Sequence, residues 1–161
     1  MRRVTIYGIA LAVAVVAVVV GVDLLTQTDE ERIERMLDEM RSAASAGRSD
    51  RLAAQLDLDG EGFEVAIGRN REHFGADDVE ALEEYLADGL AWLGDASLRL
   101  EGTTVQVSGE RAHAYFRVVL LRRDAADQSV PIDLTLRRAG DEWRVTRFRA
   151  LSTAGQRSAR R

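Results

Sequence analysis

The hydrophobic and polar positions divide the chain into three parts with different periodicity. Residues 4–22 carry no charge and are almost wholly apolar. Two stretches between residues 28 and 94 repeat their apolar residues at helical spacing, whereas residues 96–151 mainly alternate apolar and polar positions. Helices that precede a run of strands indicate an α+β fold rather than a parallel α/β sheet.

Three helices are predicted in the first half of the domain. Thr28 begins a T-x-x-E capping box and a helix over 28–46, and a shorter helix follows over 49–56. Asp77 begins a second box, D-x-x-E, and a helix that ends at Gly94. The residues of this last helix expected to face the core are Val79, Leu82, Leu86, Leu90 and Leu93.

Five strands are predicted from alternation, one of them ahead of the last helix. This short strand covers 63–67, and the four later strands cover 98–107, 111–122, 130–138 and 143–151. Ser108-Gly109-Glu110 is a hairpin turn between the first two of the later strands. Consecutive strands joined by short turns predict a mainly antiparallel sheet.

The apolar segment from Val4 to Leu25 predicts a single transmembrane helix. Its nineteen uncharged residues would form a helix roughly 28 Å long, close to the thickness of the hydrocarbon layer. Arg2 and Arg3 precede the segment and acidic residues follow it, so the N-terminus is expected in the cytoplasm and the domain outside it, at the cell membrane. A cleaved signal peptide is the alternative, although the apolar stretch is long and no clear cleavage site follows.

The chain is expected to contain one domain, and its composition and charge limit the molecules and metal sites that this domain can have. The expected organisation is an anchor over 1–25, one domain over 26–151 and a disordered basic tail over 152–161. The net charge is −5, and an acidic domain argues against nucleic acid as a partner. The absence of cysteine excludes disulfides, thiolate zinc sites and a cysteine nucleophile.

The order of elements and the closing strands resemble the nuclear transport factor 2-like superfamily, which includes SnoaL-like proteins and ketosteroid isomerase. The strand Val130-Pro131-Ile132-Asp133-Leu134-Thr135-Leu136, a Gly140-Asp141 turn and then Trp143-Arg144-Val145 are similar to the way that family closes its sheet. The resemblance implies a cone-shaped domain of three helices on a curved sheet, with an apolar pocket. It also implies a possible homodimer through the sheet.

Five residues are candidates for the pocket. His113, Tyr115 and Arg117 share one face of a strand, and Asp133 is expected on the neighbouring strand. Such a face could place a titratable histidine beside a carboxylate, or it could be a solvated or dimer-forming surface. Tyr85 could point inward from the third predicted helix.

No catalytic set, metal motif or cofactor motif is present in the sequence. The turn that begins at Asp57 matches the front of a calcium loop, but its twelfth position is Gly68 instead of glutamate, which favours an ordinary acidic turn. The expected function is therefore a membrane-tethered binding or scaffold module for a small apolar ligand or protein partners. The alternatives are an isomerase, cyclase or dehydratase acting on a polyketide- or steroid-like substrate, and a purely structural oligomer.

Overall fold

The computed structural model describes residues 28–123 and 126–151. The expected anchor from Val4 to Leu25 and the expected tail over 152–161 lie outside these residues. Within the described ranges, no helix combines the length and the apolar character needed to cross a membrane.

Helix α1, Asp29–Ser45, begins at the capping box that the sequence predicts. The Thr28 hydroxyl accepts a hydrogen bond from the Glu31 amide, and the Glu31 carboxylate accepts one from the Thr28 amide, each at 3.3 Å. The helix buries Ile33, Met36 and Leu37. At its first turn, the Asp29 carboxylate accepts hydrogen bonds from Arg138 at 2.8 Å and from the indole of Trp143 at 3.3 Å, which joins the start of the helix to the sheet.

The other two helices differ from the prediction at their starts and ends. Helix α2 is shorter than expected, Ser49–Ala53, and helix α3 covers Val79–Leu93 after a 3₁₀ turn over Ala76–Asp78. The capping box predicted at Asp77 is wrong, because the Asp78 carboxylate instead accepts a hydrogen bond from the Gly75 amide at 2.8 Å. Val79 is also exposed rather than inward-facing.

Six strands form one sheet in the order β2-β1-β6-β5-β4-β3. They are β1 Phe63–Ile67, β2 Asn70–Phe74, β3 Ser97–Ser108, β4 Arg111–Leu121, β5 Gln128–Ala139 and β6 Glu142–Ala150. The pairing between β1 and β6 is parallel, and the other neighbours are antiparallel. The five predicted strands are confirmed with small shifts at their ends, and β2 is an additional strand.

The sheet has an inner face that packs on the helices and an outer face that points away from them. Along β4 the buried inner residues are Ala112, Ala114 and Phe116, and they alternate with exposed residues. Register shifts in β3 after Glu101, next to Gly102 at φ 63°, and in β5 after Thr135 bend these long strands. The curved inner face therefore wraps around the helices.

The hydrophobic core lies between the inner face of the sheet and helices α1 and α3. Its most deeply buried side chains are Ile33, Leu82, Leu134, Leu136 and Val145. All buried members of the core cluster fall between Ile33 and Val145, so a chain that begins at Thr26 contains the whole core.

Candidate functional site

An apolar cleft of about 300 Å³ opens between helices α1 and α3 and the inner face of the sheet. Its size falls at the lower end of the range typical of small-molecule sites. Aliphatic and aromatic side chains from every helix and from five of the six strands line it. They are Leu37, Met40, Ala44, Leu52, Leu56, Phe63, Val65, Ile67, Leu86, Leu90, Leu93, Leu98, Leu100, Phe116, Val118, Leu134, Val145 and Phe148.

Helix α3 forms one wall of the cleft without filling it. Leu82 is fully buried near the start of the helix, whereas Leu86, Leu90 and Leu93 are only half-buried and line the cleft. The inward-facing stripe of this helix runs through Leu82, Leu86, Gly89 and Leu93 at helical spacing. The helix is therefore apolar on a side that the other described residues cover only in part.

Gly89 leaves a gap in the middle of that stripe. A Cβ atom at this position would meet no heavy atom within 4 Å, and the backbone conformation is compatible with any residue. The missing side chain therefore contributes directly to the open volume of the cleft.

Tyr85 and Arg41 supply the polar side chains that line the cleft. The Tyr85 ring packs against Phe74 with their centroids 5.5 Å apart. Burial raises the pKa of the Tyr85 phenol, and the nearby negative charge of Glu72 raises it further. The phenol is therefore uncharged at neutral pH.

Arg41 stands at the edge of the cleft. It is one turn of α1 from Leu37 and about one turn from Ala44, so it interrupts an otherwise apolar stripe. Its Nε donates a hydrogen bond to the Asp38 carboxylate at 3.3 Å, and its side chain stays about one-third exposed.

The structure separates the five residues predicted from the sequence. Tyr85 lines the cleft, whereas His113, Tyr115, Arg117 and Asp133 do not. His113, Tyr115 and Arg117 are exposed on the outer face of β4, opposite the buried Ala112, Ala114 and Phe116. Tyr115 is paired directly with Asp133 of β5.

These four residues are therefore neighbours on the outer face, as the alternation implies, but that face is turned away from the cleft. Alternation shows which residues share a face and does not show which face is concave. The homodimer through the sheet, which the resemblance implies, stays a prediction.

Tyr85 is the one lining residue that the sequence analysis named as a pocket candidate, and Arg41 and Gly89 are among those that it did not name. The sequence pattern marks both positions, because each places a charged residue or a glycine within the apolar stripe of its helix. A charged residue or a glycine at such a position marks a place where the helix does not pack fully on the core.

The lining offers little for proton transfer. Among the residues that the structure describes, the lining contains no aspartate, glutamate or histidine. Within residues 28–123 and 126–151, no group of three or more such side chains is placed to hold a metal ion. The Asp57 carboxylate of the acidic turn accepts two hydrogen bonds from Arg137 instead.

Solved structures with the same arrangement were found at low sequence identity. A nuclear transport factor 2-like protein with a cystatin-like fold from Novosphingobium aromaticivorans is 22% identical, with a TM-score of 0.64 over 88% of this chain and 92% of its own. A candidate ketosteroid isomerase from Shewanella frigidimarina is 13% identical, with a TM-score of 0.61 over 73% of this chain and 92% of its own. A candidate dehydratase of the same fold from Streptomyces avermitilis is 15% identical, with a TM-score of 0.60 over 76% of this chain and 94% of its own.

No protein-family model matches the sequence, and no curated protein matches it significantly. Likeness at these identities establishes the fold and carries no activity with it. The structure and its neighbours together show that residues 28–151 contain a domain with the nuclear transport factor 2-like fold.

Proposed function

We propose that this domain is a binding module that takes up a small, largely apolar molecule in the cleft between α3 and the inner face of the sheet. The observation that carries the proposal is an open cleft whose lining is almost wholly aliphatic and aromatic. Exposed apolar surface of this kind is costly in water, and a ligand that covers it gains the free energy of removing that surface from solvent.

The lining favours binding over catalysis. Isomerase and dehydratase reactions move protons, and they need an acid or base within hydrogen-bond reach of the substrate. Tyr85 is uncharged at neutral pH and the Arg41 guanidinium carries only N–H donors, so neither supplies a base. A module that holds and releases its ligand needs only the apolar walls and one or two polar groups that orient it.

The expected affinity is modest. A ligand of about ten to fifteen heavy atoms that gains about 0.5 kcal/mol per atom would bind with roughly 5 to 7.5 kcal/mol, which corresponds to a dissociation constant between about 3 and 200 µM. Binding in this range suits a protein that must exchange its ligand.

We also propose that the segment from Val4 to Leu25 holds the module at a membrane, with the domain on the extracytoplasmic side. The support is the uncharged stretch over 4–22 and the basic residues that precede it. Carbonate extraction of the full chain from membranes tests the tether, and the mass of the mature chain shows whether the segment has been cleaved. Release of the full-length chain by carbonate would contradict the proposal, and so would a mature chain that lacks the segment.

The ligand-binding proposal is tested by filling the cleft. In the chain that begins at Thr26, Gly89→Phe places a ring in the gap of the α3 stripe, where a Cβ meets nothing. The neutral fluorescent probe N-phenyl-1-naphthylamine is expected to bind the unchanged chain and to lose at least about tenfold in affinity with the variant. Ala87→Phe, at an exposed position of the same helix that does not line the cleft, is the matched control and should bind as the unchanged chain does, once circular dichroism shows that it is folded.

Two results would contradict the proposal. One is no saturable binding of the probe to the folded, unchanged chain. The other is equal binding by the Gly89→Phe variant, since the cleft would then not be the place where the probe binds.

A further inference from the structure

Arg41 lies at the border between two depressions of different chemistry. On one side is the apolar cleft, where it is the charged residue of the lining. On the other side is an open groove of about 560 Å³ between α1 and α2, which Arg41 also lines. The Arg41 side chain therefore borders an apolar site and a polar site at once.

The groove is rich in guanidinium groups. We call it the arginine groove, and its charged lining consists of Arg35, Arg41, Arg48, Arg51, Asp38 and Glu39. Four arginines and two carboxylates line the groove, and Arg48 also donates two hydrogen bonds to the Asp50 carboxylate, which leaves an excess of one positive charge although the domain as a whole is acidic. A local excess of positive charge beside an apolar cleft attracts anions to its mouth.

The contacts that Arg41 makes within the protein are weak. Asp38, its ionic partner, is 72% exposed, and exposed pairs of this kind contribute little because water and salt screen them. The second contact, from an Arg41 amino group to the Ser42 hydroxyl, is 3.5 Å long. Since a guanidinium carries five N–H donors, it can keep Asp38 and still bind two oxygens of an added anion.

We infer that the natural ligand is amphipathic, with an apolar part in the cleft and a carboxylate or phosphate head at Arg41, facing the arginine groove. This inference rests on the proposed function and names the class of molecule that the cleft takes. The apolar walls supply most of the binding free energy, and Arg41 fixes which end of the ligand points outward.

The inference is tested with three probes that share a ten-carbon tail and differ in the head group. Decanoate, decyl phosphate and 1-decanol are used to displace N-phenyl-1-naphthylamine from the chain that begins at Thr26, after a cooperative thermal transition shows that it is folded. Decanoate or decyl phosphate is expected to bind at least about tenfold more tightly than 1-decanol, which is the scale of a charge-assisted hydrogen-bond pair. The more tightly bound of the two assigns the head as carboxylate or phosphate.

Substitution of Arg41 is expected to remove the preference and keep the binding of the tail. Arg41→Met should weaken the anionic probe about tenfold while it leaves 1-decanol within about twofold. Arg99→Met is the matched control, because Arg99 pairs with Glu101 in β3 and does not line the cleft or the arginine groove, and it should keep the preference. Added salt should weaken the anionic probes alone.

Failure of the anionic head at Arg41 and failure of the apolar site give different results. If all three probes bind the unchanged chain equally, or if Arg41→Met keeps the preference, the anionic head at Arg41 is overturned and the apolar site stands. If none of them displaces N-phenyl-1-naphthylamine, or that probe does not bind, the proposed function itself is overturned.

Discussion

Asp57 and Arg137, eighty residues apart in the chain, form a two-point ion pair that holds the acidic turn after α2 against strand β5. The Arg137 Nε lies 2.9 Å from one Asp57 oxygen and the terminal nitrogen lies 2.8 Å from the other. The carboxylate is only 4% exposed and also accepts a hydrogen bond from the Glu61 amide at 3.2 Å. Gly60 leaves room for the guanidinium, since a Cβ there would collide with it.

We expect Arg137→Met to lower the free energy of unfolding by about 2 to 4 kcal/mol, because it leaves a buried carboxylate without its cation. Urea denaturation of the chain that begins at Thr26 measures this loss. Arg137→Lys should lose less than Arg137→Met but remain below the unchanged protein, since an ammonium group cannot form both bonds of the fork.

The double variant Asp57→Asn/Arg137→Met provides the control for that prediction. It removes the buried charge together with its partner, so it should be more stable than Arg137→Met alone. If the double variant lost the sum of the two single losses, the two residues would not act as a pair.

The same ion pair predicts how stability changes in acid. The hydrogen bonds from Arg137 lower the pKa of the Asp57 carboxyl below its usual 3.8, and they outweigh the opposing effect of burial. A lowered pKa in the folded state gives stability that is fully present above the unfolded value and is lost as the pH falls through the folded value. The melting temperature of the unchanged chain should therefore exceed that of Asp57→Asn by a constant margin between about pH 5 and pH 7.

Below about pH 4 that margin should shrink, because protonation makes Asp57 resemble the asparagine that replaces it. Thermal melts of both chains at closely spaced pH values measure the difference directly, and other carboxylates cancel from the comparison. A margin that stayed constant down to pH 2 would mean that the Asp57 charge does not stabilise the fold.

Most of the helices and strands could be predicted because their signals are local. The capping box of Thr28 and Glu31 lies within four residues and shows where α1 begins. The alternation of Ala112, Ala114 and Phe116 with polar residues predicts β4. Strand β2 gave no such signal, since Asn70–Phe74 is exposed at every position except Phe74. An edge strand with two polar faces is held by its pairing with β1, and a sequence pattern does not show that pairing.

The candidate site was harder to predict because its features depend on contacts between distant segments. The sequence predicts Asp57 as part of an acidic turn. Its pairing with Arg137 could not be predicted, because it depends on β5 lying beside that turn. The alternation predicted correctly that His113 and Tyr115 share one face of β4. It did not predict that this face points away from the cleft, because the curvature of the sheet decides that. Tyr85 was a candidate because it could point inward from the third predicted helix, although Leu82 and Leu86 were expected to fill the inward stripe better.

Replacing residues of the outer face should leave ligand binding unchanged. His113→Ala and Asp133→Ala are expected to bind N-phenyl-1-naphthylamine within about twofold of the unchanged chain, since neither side chain lines the cleft. Fluorescence titration measures the affinity for the probe, and Gly89→Phe is the comparison variant that should bind it more weakly. Loss of probe binding in a folded His113→Ala chain would instead place the binding site on the outer face.

The two glycines at positions 89 and 94 predict opposite effects of the same substitution on stability. A Cβ at either position would meet no atom within 4 Å, so packing does not distinguish them.

Gly89 lies inside α3 in a conformation open to any residue, and Gly89→Ala should raise the free energy of unfolding by about 0.5 to 1 kcal/mol through its higher helix propensity. Gly94, just after the last turn, has φ 56°, and Gly94→Ala should lower the free energy of unfolding by about 1 kcal/mol or more because that conformation strains any residue with a Cβ. Urea denaturation of both variants gives the two signs, and a loss of stability in Gly89→Ala would mean that the gap in the α3 stripe is not free space.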